Sequence, residues 1–211
     1  MSIDRTEEEQ VEAVKEWFKK NGSALIFGLA IGLASIGGYR FWQDYSNSQL
    51  QNASLAYGVY ENKLMANELT EVFSLGEKLI KEYPDTPYAA LAALGMAKVN
   101  VENLSLESAE VHLNWVISNC DQAGLVHIAR LRLARILAAQ EKYDAALAHV
   151  NQSQSSFDTL YSEVQGDIML AKGDISRARE FYQVAVDTAD SSDRRTQLIL
   201  LKMNDISANS N

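Results

Sequence analysis

"LRLARILAAQEKYDAALAHV" (residues 131–150) and "SEVQGDIMLAKGDISRAREFYQVAV" (residues 162–186) decide the fold, because they are two copies of one device. In each, a helical apolar pattern ends in a short polar turn, "QEKYD" or "KGDIS", and a second helix opens on a small residue, Ala146 or Ala178, 32 residues apart. An earlier copy, "ALAALGMAKVNVENLSLESAEVHLNWVI" (90–117), places Ala109 in the same role 37 residues before Ala146. A fourth, degenerate copy lies in "ASLAYGVYENKLMANELTEVFSLGEKLIKEYPDTP" (53–87), closing on Tyr83-Pro84. Self-similarity at this period means stacked helical hairpins. Small residues are needed where the two helices of a hairpin cross, since a larger side chain would hold the backbones apart.

The rest of the region agrees. Beyond residue 43 the only prolines are Pro84 and Pro87, good helix formers dominate, and no run alternates as a strand would. Turn signals fall at Tyr83 to Pro87, Asp121 to Gly124, Gly173-Asp174 and Ser191 to Asp193. The expected class is all-α, a solenoid of helical hairpins. Its spacing resembles the tetratricopeptide repeat. Gly166, Ala178, Tyr182 and Ala185 match that repeat's small, small, aromatic, small signature, and Ala134, Ala146 and Tyr143 match it less fully. The first Trp of the pattern is missing throughout. A stack of this kind commonly holds an extended or helical segment in its concavity. Aligning the copies puts Lys98, Arg135 and Asp167 at equivalent groove-facing positions, the candidate partner-binding residues.

Upstream, "KKNGSALIFGLAIGLASIGGYRFW" (19–42) holds nineteen residues without a charge between Lys20 and Arg40. At about 1.5 Å per residue they make roughly 28 Å of helix, close to the ~30 Å hydrocarbon core of a bilayer. Gly22, Gly28, Gly32, Gly37 and Gly38 would together cost a water-soluble helix roughly 4–5 kcal/mol relative to alanine. In lipid that weakness cannot be exploited, because an unpaired backbone group finds no water there. A membrane helix is therefore expected rather than a soluble core helix. A cleaved signal peptide fits less well: twenty residues precede the run, six of them acids, and Ser35-Ile36-Gly37 is a weak cleavage site. Trp17 and Phe18 at one end, and Tyr39, Phe41, Trp42 and Tyr45 at the other, form the aromatic belts of a retained span. Lys15, Lys19 and Lys20 flank the amino end and only Arg40 the other, so the amino terminus is expected in the cytoplasm and the carboxyl part exported, in a bacterium to the periplasm. Gly28 and Gly32, backed by Ala24, offer a face on which another membrane helix can pack closely, and Ala30, Ala34 and Gly38 offer a second.

The expected organisation is a cytoplasmic leader helix (1–20), a transmembrane helix (21–42), a periplasmic repeat domain (43–203) and a disordered polar tail (204–211). The leader opens on a capping box, Thr6 with Glu9, and carries an apolar stripe of Val11, Val14, Trp17 and Phe18, suited to the headgroup region or to a cytoplasmic partner. Five of the 19 bases and six of the 28 acids precede residue 43, leaving 14 against 22, a net charge of −8. That balance disfavours nucleic acid and anionic lipid surfaces as partners of the domain. The one cysteine, Cys120, excludes an internal disulfide and is expected to be buried and inert. His112, His127 and His149 lack the spacing of metal ligands and are expected at the surface or in hairpins. No GxSxG, phosphate loop or CxxC occurs. Neither catalysis nor a cofactor or metal is expected.

"QVEAVKEWFKKNGSAL" (10–25), "GYRFW" (38–42), "NASLAY" (52–57), "YAALAAL" (88–94), "RLRLAR" (130–135), "AKGDISRAR" (171–179) and "LKMNDIS" (201–207) occur in this order and resemble the YfgM family, ancillary subunits of the bacterial SecYEG translocon. The resemblance implies a single-pass inner-membrane protein with a periplasmic tetratricopeptide-like domain. Its implied partners are the translocon, a PpiD-type membrane-anchored chaperone, exported polypeptides and membrane lipid. Its implied role is a non-catalytic adaptor that hands emerging chains to periplasmic chaperones. The alternatives are a regulator of an envelope-stress response acting through the leader, and a generic envelope scaffold.

Overall fold

The computed structural model describes residues 7–151, 157–190 and 194–208. Thr6 of the expected capping box, the turn at 191–193 and residues 209–211 lie outside the described residues. Among the described residues there are nine helices and no strand: α1 (Glu7–Met65), α2 (Leu69–Glu82), α3 (Pro87–Glu102), α4 (Leu106–Asn119), α5 (Ala123–Ala139), α6 (Tyr143–Val150), α7 (Asp158–Ala171), α8 (Ile175–Thr188) and α9 (Arg194–Ala208). The chain divides into two compact units, Met1–Gln51 and Asn52–Asn211. The expected all-α class is what the structure has.

In the first unit no residue from 23 to 48 is shielded. Leu25, Ile26, Phe27, Leu29, Ile31, Leu33 and Ile36 are each at least 45% exposed. Among the described residues α1 is the one helix long and apolar enough to cross a membrane. Ser35 Oγ donates to the carbonyl of Ile31 (2.8 Å), so its hydroxyl is satisfied within the helix itself. α1 runs without interruption past "GYRFW" to Met65, so the leader, the apolar run and the first helix of the repeats belong to one element. Burial begins at Ala53, the first residue with no exposure, and continues at Tyr60.

In the second unit one backbone arrangement recurs. Asn67, Leu104, Glu141 and Gly173 have φ of 57°, 58°, 61° and 84°, the left-handed region, immediately after α1, α3, α5 and α7. In each turn the left-handed residue's amide donates three residues back, to Leu64, Val101, Ala138 or Leu170. The next amide donates five back, to Lys63, Asn100, Leu137 or Met169. These are four Schellman caps, and they satisfy carbonyls that the helix end would leave orphaned. Only Gly173 carries the usual residue; Leu104 and Glu141 take the left-handed conformation against a steric cost of roughly 1–2 kcal/mol each. That is why the turns at 66–68 and 103–105 give no turn signal in the sequence.

The caps set a register for the packing. Five residues beyond each lie Val72, Ala109, Ala146 and Ala178, all 0% exposed. Seven residues before lie Tyr60, Ala97, Ala134 and Gly166, the positions where first helices meet their neighbours. A β-carbon on Gly166 would lie 2.6 Å from the Tyr182 ring, so α7 and α8 need glycine there to cross this closely. The first repeat departs from the rule: Tyr60 occupies the small-residue position, and the backbones of α1 and α2 approach less closely than those of the later hairpins. Tyr60 instead packs toward α3, its hydroxyl donating to the carbonyl of Ala92 (3.2 Å) with Gly95 leaving room for it. The fourth copy is degenerate because its large and small partners are redistributed.

Of the two places expected for the histidines, His112 and His127 take the second, buried within the hairpins; His127 stacks on Phe157 and shares a 2.7 Å hydrogen bond with the Tyr161 hydroxyl. Two corrections concern the cysteine and the tail. Cys120 is half-buried, because it follows the last turn of α4 rather than facing inward from it. Residues 204–208 are not a loose tail but continue α9, held by Ile206, which is 4% exposed in the core of α7, α8 and α9.

Two substitutions test this register by thermal or chemical unfolding. Gly166→Ala should lose about 1–2 kcal/mol despite the helix propensity gained, because the added carbon meets an aromatic ring. Glu141→Gly should gain roughly 0.5–1 kcal/mol by relieving the left-handed strain.

Candidate functional site

An apolar cleft with a basic rim lies where α3, α4 and α5 meet. It holds about 400 Å³. Ala97, Val101, Leu113 and Ile136 form its apolar lining, and Lys98, Glu102, Arg132 and Arg135 its polar one. The lining is mostly from the first helices of two successive hairpins, which is why its residues recur at fixed places relative to the caps. Lys98, Arg135 and Asp167 each sit six residues before a left-handed residue, and Arg132 sits nine before.

The structure brings Lys98 and Arg135 to this one cleft. Lys98 pairs with Glu102 one turn on (3.6 Å), an exposed contact of small value. Arg132 Nη1 donates to the carbonyl of Leu94 (3.2 Å), which fixes that guanidinium across the α3–α5 seam. Burial, and then the neighbouring Arg135, lower the Arg132 pKa from its ordinary value, a sign that two like charges are crowded at the rim. Among the described residues Arg135 has no ionic partner. Three cations against one anion make the cleft locally basic in a chain of formal net charge −9.

Asp167 goes elsewhere. It accepts from the Tyr182 hydroxyl (2.7 Å) and from Lys202 Nζ of α9 (2.6 Å). Beside it Glu163, 7% exposed, accepts from Lys202 Nζ and Arg195 Nη1, both at 2.9 Å. Burial by itself would raise the Glu163 pKa, but the hydrogen bonds and charges of Lys202 and Arg195 hold it below the usual carboxylate value. Asp167 thus belongs to a polar lock between α7 and α9 and does not line the cleft. Gly28 and Gly32 lie in the first unit on an open face; a β-carbon on either would meet nothing within 4 Å. Sequence reasoning missed Arg132 and the whole Glu163–Arg195–Lys202 lock. Arg132 was legible, since "RLRLAR" puts it one turn before Arg135. The lock was not, because its members are about thirty to forty residues apart. No group of metal-ligating side chains occurs among the described residues.

A family model described as a tetratricopeptide repeat-like domain matches residues 15–208. The chain is 30% identical over 210 residues to a protein of Escherichia coli (strain K12) named "Ancillary SecYEG translocon subunit", covering 98% of this chain and 100% of that one. The chain belongs to the YfgM family of ancillary SecYEG translocon subunits. Relatives with the same name occur in Haemophilus influenzae (28% over 207 residues) and Neisseria gonorrhoeae (30% over 213), each covering 98% of this chain and 100% of the relative. No solved structure matches. Membership of this family and one apolar helix near the amino terminus fit a single-pass inner-membrane protein.

Acid should weaken this YfgM-family domain in two steps. Burial holds the His112 imidazole below its ordinary pKa against the pull of nearby Glu77, and burial with Arg130 does the same for His149. Both are lowered on folding, so the unfolded chain binds more protons, and the stability they contribute is lost as pH falls below about 6.5. Glu163 is also lowered, so its contribution persists above 4.5 and is lost below it. Glu163→Gln should remove most of the second step from a plot of stability against pH. It should cost roughly 1–3 kcal/mol at neutral pH, moderated because Lys202 and Arg195 are partly exposed and can regain water.

Proposed function

We propose that this chain is a non-catalytic, membrane-anchored adaptor of the Sec translocon. The observation that carries the reading is the full-length similarity to proteins named as ancillary translocon subunits, joined to a helical-repeat domain whose cleft is apolar with a basic rim. In this reading residues 21–42 span the inner membrane with the amino terminus in the cytoplasm, and the repeats face the periplasm. Anchoring raises the local concentration of the repeats at the membrane surface, where chains leave the channel, and so permits weak, rapidly exchanged contacts to be sufficient. The cleft takes a short apolar segment of an exported polypeptide. Lys98, Arg132 and Arg135 favour segments carrying an acidic group beside the apolar ones. From there the segment passes to periplasmic chaperones, a PpiD-type membrane-anchored chaperone among them. Gly28 and Gly32 let the span lie close against a helix of the channel.

Photo-crosslinking in intact membranes tests the reading. Probes at positions 28 and 32 should label translocon subunits, and a probe at 135 should label exported chains caught in transit. Lys98→Glu with Arg135→Glu should reduce the second labelling several-fold and leave the first unchanged. Release of the full-length protein by alkaline carbonate, or protection of the repeats from protease added to the periplasmic side, would overturn it.

A further inference from the structure

A helix of a solenoid normally turns a polar face to solvent on any side that no repeat covers. α9 does not. Ile199 and Ile206 are buried inward, while Leu198 and Leu201 are 53% and 59% exposed on the opposite side. Arg194 and Asp205 are exposed and continue the same face. The four positions, 194, 198, 201 and 205, step by four, three and four residues, the spacing of a helix-pairing seam.

The charges on this seam are misplaced for a helix on its own. Arg194 opens α9, where the helix dipole repels a cation, and Asp205 lies in the last turn, where it repels an anion. The other nearby cations have partners: Arg195 bonds to Glu163, and Lys202 to Glu163 and Asp167. Arg194 and Asp205 pair with none of the described residues. An antiparallel copy of the same helix corrects both ends at once. A two-fold axis passing between residues 199 and 200 sets Arg194 against the partner's Asp205, and the same axis sets Leu198 against the partner's Leu201. One operation satisfies all four positions, as a self-complementary interface requires.

We propose that two copies of this chain associate through α9, antiparallel, with paired leucines at the centre and an Arg194–Asp205 ion pair at each end. One pair of helices covers less than the roughly 800 Å² per partner of a standard interface, so the dimer is weak in solution, with a dissociation constant on the order of micromolar. Confinement to a membrane would favour it further.

The test is sedimentation of the purified full-length protein in detergent over roughly 1–100 µM. A concentration-dependent dimer that weakens with added salt is expected. Arg194→Asp and Asp205→Arg should each weaken it at least tenfold, because each sets like charges together at both ends. An equimolar mixture of the two single variants should restore it, since every charge then meets its opposite, and so should the double variant. Leu201→Gln, which leaves the charges intact, should weaken it to a similar degree. Circular dichroism of each variant should show no less helix and no lower an unfolding midpoint than the parent, since reversing Arg194 or Asp205 relieves a repulsion with the helix dipole and Leu201 is exposed. A parent that stays monomeric throughout, single variants that dimerise like the parent, or a mixture that stays monomeric overturns the proposal. A photoprobe at 198 that labels a different envelope protein, while the pure chain stays monomeric, would give this face to that protein instead.

Discussion

Each hairpin of the second unit turns on a first helix that stops in a single left-handed residue, its final carbonyls taken up by the two amides that follow. This cap determines where the second helix starts, and so which of its residues meets the first. Once Asn67, Leu104, Glu141 and Gly173 hold that conformation, buried positions follow at constant distances from them, five residues on and seven back. The small residues there are consequences of the cap geometry. Where a repeat breaks the rule, as at Tyr60, the bulk is taken up by a glycine on the next helix, and the hairpin opens accordingly.

The same register distributes charge. Positions six residues before each cap come from first helices, and two of them, Lys98 and Arg135, meet at an apolar cleft that Arg132 shares. Another of them, Asp167, has a different neighbour: α9 approaches α7 there and brings Lys202, so the carboxylate is used inside the fold. A repeat thus offers the same position several times, and the neighbouring helix decides whether it serves a partner or the protein itself. The basic cleft is a local exception in an acidic chain. A field of that sign steers by charge and selects by apolar fit.

α9 has two contrasting sides. Its inner side is tied by buried Ile199 and Ile206 and by ion pairs to a nearly buried glutamate. Its outer side shows two leucines between unpaired charges of opposite sign. The inner side accounts for α9 being ordered through residues expected to form a tail. The outer side is what a helix shows when it is also a surface for assembly.

The sequence by itself determined the helical class, the hairpin repeats through Ala109, Ala146 and Ala178, and the uncharged run before them. Each is written in neighbouring residues, as a helical period, a breaker or an absence of charge, and needs no distant contact. It also placed Lys98 and Arg135 at matching positions, because repeats can be aligned by eye. Only the tertiary structure decided that Asp167 faces Lys202, that His112 and His127 are buried, and that Ile206 anchors a helix rather than a tail. It alone placed left-handed caps at Leu104 and Glu141, residue types that carry no turn preference. These outcomes depend on which helix comes to lie beside a given side chain, and pairs such as Glu163 and Lys202, 39 residues apart, leave no local pattern to read.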